Sequence, residues 1–329
     1  MRRSCSSHLV ASTLWLRLLL AASLLPLATT AQGAGPREYN GFKLEPSLIP
    51  IDDILRGGPD RDGIPALNRP NYDAAGEASW GDDEIVIGVV RGKEARAYPI
   101  AILVWHELVN DELGGDPILV SYCPLCGTAL VFDRQLEGRA SEFGVSGLLY
   151  QSDLLMYDRK TESLWSQIGA NAVTGTLMGQ RLELLRSRTM TWKNWREAHP
   201  KTTVLSKKTG FQRDYGRTPY DDYETSNLLY FPVKPDTRRH PKMPTLGLRI
   251  PNGPSRAYPG EEIARAGGRV EDVFSGQRVL VTYDSRTKRF DFEVPEGIEV
   301  VEGFWFAWAA FHPETSVYTA TGAPARQNP

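Results

Sequence analysis

Cysteine is scarce in this chain: three in 329 residues. Cys5 lies in the N-terminal leader region, so only Cys123 and Cys126 serve the body of the protein. Two cysteines cannot staple a scaffold, and no second Cys or His pair follows to complete a zinc knuckle. An excess of one charge is also missing, with 38 Lys and Arg against 40 Asp and Glu. That balance points away from nucleic acid and from an anionic membrane surface as partners. No glycine-rich nucleotide or flavin motif is present. Beyond residue 27 there is no apolar run long enough to span a bilayer.

The first residues read as a secretory leader. Arg2 and Arg3 precede an apolar run from Leu18 to Leu27, and Thr29 and Ala31 offer small residues for cleavage. The clean run is only about ten residues and Arg17 interrupts its longer form, which favours a cleaved signal over a retained anchor. Loss of residues 1–31 removes three arginines and no acid, taking the formal charge from −2 to −5. A periplasmic or extracellular protein is expected.

The 30 glycines and 23 prolines imply many turns and short elements. Residues 32–84 read as an extended N-terminal arm. Regular structure is expected from Glu84-Ile85-Val86-Ile87-Gly88-Val89-Val90, a strand paired through Arg91-Gly92-Lys93 with Glu94–Tyr98. Pro99 opens a short helix through His106, and Ile118–Tyr122 forms a further strand. A similar order returns later. Arg96-Ala97-Tyr98-Pro99 matches Arg256-Ala257-Tyr258-Pro259, Asp111 matches Asp272, and Trp195 with His199 matches Trp308 with His312. The expectation is a strand-rich α+β fold of two diverged pseudo-repeats sharing one compact body. Its parts are a first repeat at 85–206, an aromatic-polar connecting loop at 207–244, a degenerate second repeat at 245–320 and a tail at 321–329. In the connecting loop, Tyr215, Tyr220, Tyr223, Tyr230 and Phe231 read as a wrap around a core, with stacking against a partner as the alternative.

Residues without a counterpart in the second half carry the chemical interest. Cys123-Pro124-Leu125-Cys126-Gly127 follows a strand, and a turn there can aim two sulfurs at one centre. Such a turn supports a thiolate metal site, a redox dithiol or an inert disulfide. For a metal, copper or zinc, the third ligand expected is His106, with Met156 or His199 as conceivable substitutes. Glu107 and Asp111 are candidates to orient that imidazole, and Ser146 and Asp153 are open cleft candidates. A Cys126–His106–Glu107 nucleophilic relay ranks below these, because neighbours on one helix diverge. Asp158 reads as a turn-closing residue. The leading expectation is an exported metal-handling or metal-dependent protein. The alternatives are a thiol-disulfide protein using the same cysteines, and a cell-surface binding module braced by a structural disulfide.

Together, Tyr122-Cys123-Pro124-Leu125-Cys126-Gly127-Thr128-Ala129, Ser146–Tyr150, Leu155–Arg159 and Leu164–Gln167 resemble the bacterial and archaeal family known as domain of unknown function 3179. Arg96–Pro99, His106-Glu107 and Val109–Asp111 fit the same pattern, and the similarity runs from about Ile85 to Val317. The resemblance implies a secreted or surface-exposed protein and supplies no reaction, substrate or cofactor.

Overall fold

The computed structural model describes residues 37–220 and 222–320. The leader and the tail proposed from sequence therefore lie outside the described residues.

Short β-rich runs broken by turn residues build five principal sheets of three to five strands, arranged as the blades of a five-bladed β-propeller. Strands Ile85–Arg91 and Glu94–Pro99 pair antiparallel across a turn in which Gly92 takes φ +57°. Ser187–Thr191 extends one side of that sheet, and Thr203–Leu205 joins the other side in parallel. Pro99 then starts the helix Ile100–His106, since its missing N–H costs nothing at a helix entrance. The second blade runs through Leu108–Leu113, Asp116–Cys123 and Thr128–Asp133, and the third is centred on the hairpin of Phe143–Tyr150 with Asp153–Asp158. Pro244–Arg249, Ser255–Pro259 and Glu299–Phe304 make most of the fourth, and Arg269–Phe274, Gln277–Asp284 and Arg289–Glu293 the fifth.

The strand-rich α+β composition matches the expectation from sequence, whereas the architecture of two pseudo-repeats in one compact body does not. Matched strings do meet in like contacts. Arg96 and Tyr98 both reach the Asp111 carboxylate, and Arg256 and Tyr258 both reach that of Asp272. These are local contacts, and they do not set the architecture. The strands divide among five sheets, and the largest apolar cluster joins Leu108, Phe143 and Trp165 to Ala257, Val301 and Trp305. Sequence matching sees the contacts inside a blade but not the way the blades pack, because that packing is made by residues far apart in the chain.

Gly88 and Gly247 show how closely helix and sheet approach. A Cβ built at Gly88 would stand 2.2 Å from the Trp195 ring, and one at Gly247 would stand 2.2 Å from that of Trp308. Both indoles are buried, so neither ring has space to retreat. Gly88→Ala should therefore cost about 3 kcal/mol through overpacking. It should be seen in urea unfolding as a lowered midpoint with an unchanged slope.

Candidate metal centre

The cysteine turn closes a tight hairpin. Cys123 ends one strand and pairs with Thr128 at the start of the next, leaving Pro124-Leu125-Cys126-Gly127 as the loop. The Cys126 amide donates to the Cys123 carbonyl at 3.2 Å, and Gly127 takes φ +62°. A neighbouring blade holds the turn in place, because the Phe304 amide donates to the Cys126 carbonyl at 2.8 Å. Gln167 clamps it from another side, accepting from Thr128 Oγ1 at 2.6 Å and donating to Ser121 Oγ at 2.9 Å.

Facing the sulfurs is the hairpin tip Tyr150-Gln151-Ser152-Asp153. Gln151 and Ser152 lie at φ +52° and +65°, the conformation a two-residue type I′ loop demands and one for which Asn-Gly is the usual choice. The turn aims the Ser152 carbonyl at both thiols, with Cys126 Sγ at 3.3 Å and Cys123 Sγ at 3.9 Å. It also delivers Asp153. Cys123 Sγ, Cys126 Sγ and an Asp153 carboxylate oxygen all lie within 4.8 Å of one another, and all three residues are buried. This trio could hold a metal ion. Both cysteines are free thiols, so the disulfide considered from sequence is not formed.

The electrostatics of the site are those of acids removed from water. Asp153 Oδ2 accepts from the Ile168 amide at 3.0 Å, whereas Oδ1 has no hydrogen-bond partner among the described residues. Burial pushes the Asp153 carboxyl up to about 7, opposed by backbone N–H groups of Ile168 and Leu154 and by the two neighbouring thiols. Burial likewise raises the Cys126 thiol well above its ordinary value, and Cys123 adds to the shift. Glu107 is pushed up to about 8 by burial and then by the charge of Asp153. Its backbone lies at φ +56°, where it caps the helix Ile100–His106, and its carbonyl accepts from the Tyr122 amide.

His106 does not join the cysteines. Its Nδ1 is 2.8 Å from the Pro65 carbonyl and its Nε2 is 2.7 Å from the Tyr215 hydroxyl, so both ring nitrogens are engaged. It is absent from the cluster of mutually close ligand atoms. Asp111 does not orient it either, being committed to Arg96 at 2.7 Å and to Tyr98 at 2.5 Å. Ser146 Oγ donates to the Leu155 carbonyl and accepts from the Leu148 amide, bracing the irregularity in its own hairpin. Met156 is a fully buried member of the apolar cluster that also contains the cysteines. Asp158 closes its turn through Thr161 and accepts from Trp165 Nε1. His199 packs against Trp195 in a tilted pair with ring centroids 4.1 Å apart.

Of the cleft candidates, Asp153 alone belongs to the cluster. The sequence signal for it was the adjacent pair of non-glycine residues at a hairpin tip, which became informative only once the hairpin had been paired. The aromatic segment read from sequence as a wrap around a core was not tied there to the cysteines, yet it supplies their cover. Tyr223 packs in the cysteine cluster, and Tyr220 packs against the same cluster, half-buried. Lys242 secures this segment, with its Nζ donating to the Tyr223 and Leu228 carbonyls and standing 3.4 Å from the Tyr223 ring centroid.

Residues 61–294 match the family described as a protein of unknown function, DUF3179. The chain belongs to that family. No curated protein and no solved structure matches it. The matched span contains the cysteine turn, Asp153 and the covering Tyr220 and Tyr223. Among the described residues, no helix is long and apolar enough to cross a membrane.

Two predictions follow from this geometry. Ser152→Gly keeps the carbonyl that faces the thiols, relieves a positive φ and removes a buried hydroxyl that has no partner. It should stabilise the protein by about 1 kcal/mol, measured by urea unfolding. The second concerns pH. In metal-free protein, Asp153 and Glu107 keep their protons up to about pH 7 and pH 8, whereas the unfolded chain has released them just above its ordinary carboxyl values of 3.8 and 4.5. Fewer protons bound when unfolded means that stability falls as pH rises, so the melting temperature should be higher near pH 5 than near pH 8.

Proposed function

We propose that the protein holds a zinc ion through Cys123, Cys126 and Asp153, and that it works outside the cytoplasm as a metal-dependent or metal-handling protein. The observation that carries this reading is the buried Asp153 carboxyl set against two free thiols, with Oδ1 meeting no donor stronger than those neighbouring S–H groups. A carboxylate oxygen met only by weak S–H donors in a dry interior is costly, and a cation is the partner that suits it and both sulfurs at once. Zinc takes thiolate and carboxylate ligands at about 2.0–2.3 Å, so the three atoms need only a small closure to reach one ion. The carboxylate favours zinc over Cu(I), which prefers soft sulfur donors throughout.

Three protein ligands leave a fourth position on a tetrahedral ion, and a bound zinc would supply Lewis acidity and an acidified water there. The chain's own contribution is exclusion of bulk water by Tyr220 and Tyr223 and a protonated Glu107 near Asp153. The thiol-disulfide alternative is weakened by burial, which raises the Cys126 thiol when a reactive cysteine requires a lowered one. Export rests on the composition of residues 1–31.

Purified protein should bind one zinc per chain, and a hundredfold excess of free zinc over its Kd should add about 2.7 kcal/mol of stability. Cys126→Ser and Asp153→Asn should abolish that gain, whereas His106→Gln should keep it. With zinc present, the pH trend should reverse, because the ligands must shed protons to bind. Stoichiometric zinc that survives both ligand substitutions would refute the assignment.

A further inference from the structure

Arg249 is a buried guanidinium whose own contacts leave it incomplete. Its side chain is only 6% exposed. Nε donates to Glu299 at 2.6 Å, and Nη1 donates to the Ile168 carbonyl at 2.6 Å and faces His312 Nε2 at 3.4 Å. Nη2, with its two N–H groups, is buried and has no partner among the described residues. A guanidinium presents its donors as a planar fork, and an Nη2 that is buried without an acceptor, on a residue that lines a cleft, calls for an acceptor from outside its own contacts.

The cleft is there. It has a volume of about 260 Å³ and is lined by Arg249, Arg181 and His312, with Ile250, Pro251 and Phe311 as apolar wall. No acidic residue lines it among the described residues. Glu299 serves both arginines, at 2.6 Å from Arg249 and 3.4 Å from Arg181, so two cations share one carboxylate and a single positive charge is left over. His312 offers Nε2 as an acceptor towards Arg249, and burial with the neighbouring guanidinium lowers its pKa to about 3, so it adds no further charge. We infer that this cleft binds a small organic monocarboxylate, its carboxylate on Arg249 and Arg181 and its apolar part against Phe311 and Ile250. One unbalanced charge suits a monoanion better than a phosphate dianion, and the planar fork suits a carboxylate. The site is independent of zinc, although the Ile168 peptide that donates to Asp153 also accepts from Arg249.

Isothermal titration of the purified protein with benzoate, acetate and inorganic phosphate tests this. The expected result is saturable one-to-one binding of benzoate, weaker binding of acetate, and phosphate weakest. Arg249→Gln breaks a buried ion pair, so the deciding variant is Arg181→Gln, whose side chain is 34% exposed. It should weaken benzoate by about tenfold or more, with unfolding unchanged, while Cys126→Ser leaves benzoate binding intact. No saturable carboxylate binding at about 10 mM, equal affinity in Arg181→Gln, or phosphate binding tighter than benzoate would each overturn the inference.

Discussion

The contact between the Asp153 carboxylate and the sulfurs of Cys123 and Cys126 sets the terms for the surrounding structure. Two thiols and a carboxyl are placed in an interior that offers the carboxyl backbone N–H groups and the weak S–H donors beside it, and offers the thiols one carbonyl. Polar groups so poorly satisfied drift apart or admit water unless their backbones are held. The hydrogen bonds around the cysteine turn serve that end. Phe304 and Gln167 fix it from two other parts of the chain, and the positive φ values of Gln151 and Ser152 are retained because they bring Asp153 and the Ser152 carbonyl into place.

The blade arrangement explains how so few residues can do this. Each ligand sits at the end of a hairpin, where side chains are aimed by turn geometry rather than by sheet alternation. The Cys126 hairpin and the Asp153 hairpin belong to different sheets, and the strand Glu299–Phe304 of a third sheet seals the turn. Sites at such junctions inherit rigidity from the sheets and shape from the loops. The aromatic segment then closes the junction with Tyr223, whose ring is anchored by Lys242. The same junction principle places Arg249 against a cleft, with the Ile168 peptide lying between it and Asp153.

Much of the local structure was legible in the residues. The strand Ile85–Arg91, the helix opened by Pro99 and the positive φ of Gly127 follow from β-branched runs, proline geometry and the freedom of glycine. The cysteine turn was legible for the same reason, since two thiols three positions apart across Pro and Gly carry their meaning in four residues. The choice of His106 failed because proximity to a strand end says nothing about which groups an imidazole meets. Pro65 and Tyr215, 41 and 109 positions away, take both of its nitrogens.

Sequence alone determined which residues could act as ligands, where strands and the short helices begin, and that this chain belongs with a particular family. These are properties of short stretches, set by side-chain chemistry and backbone freedom over a few bonds. Only the tertiary structure decided that Asp153 rather than His106 faces the sulfurs, that five blades replace two units, and that Tyr223 covers the centre. Each of those outcomes depends on which hairpin tips and loops are brought together when apolar surfaces from distant parts of the chain are buried against one another.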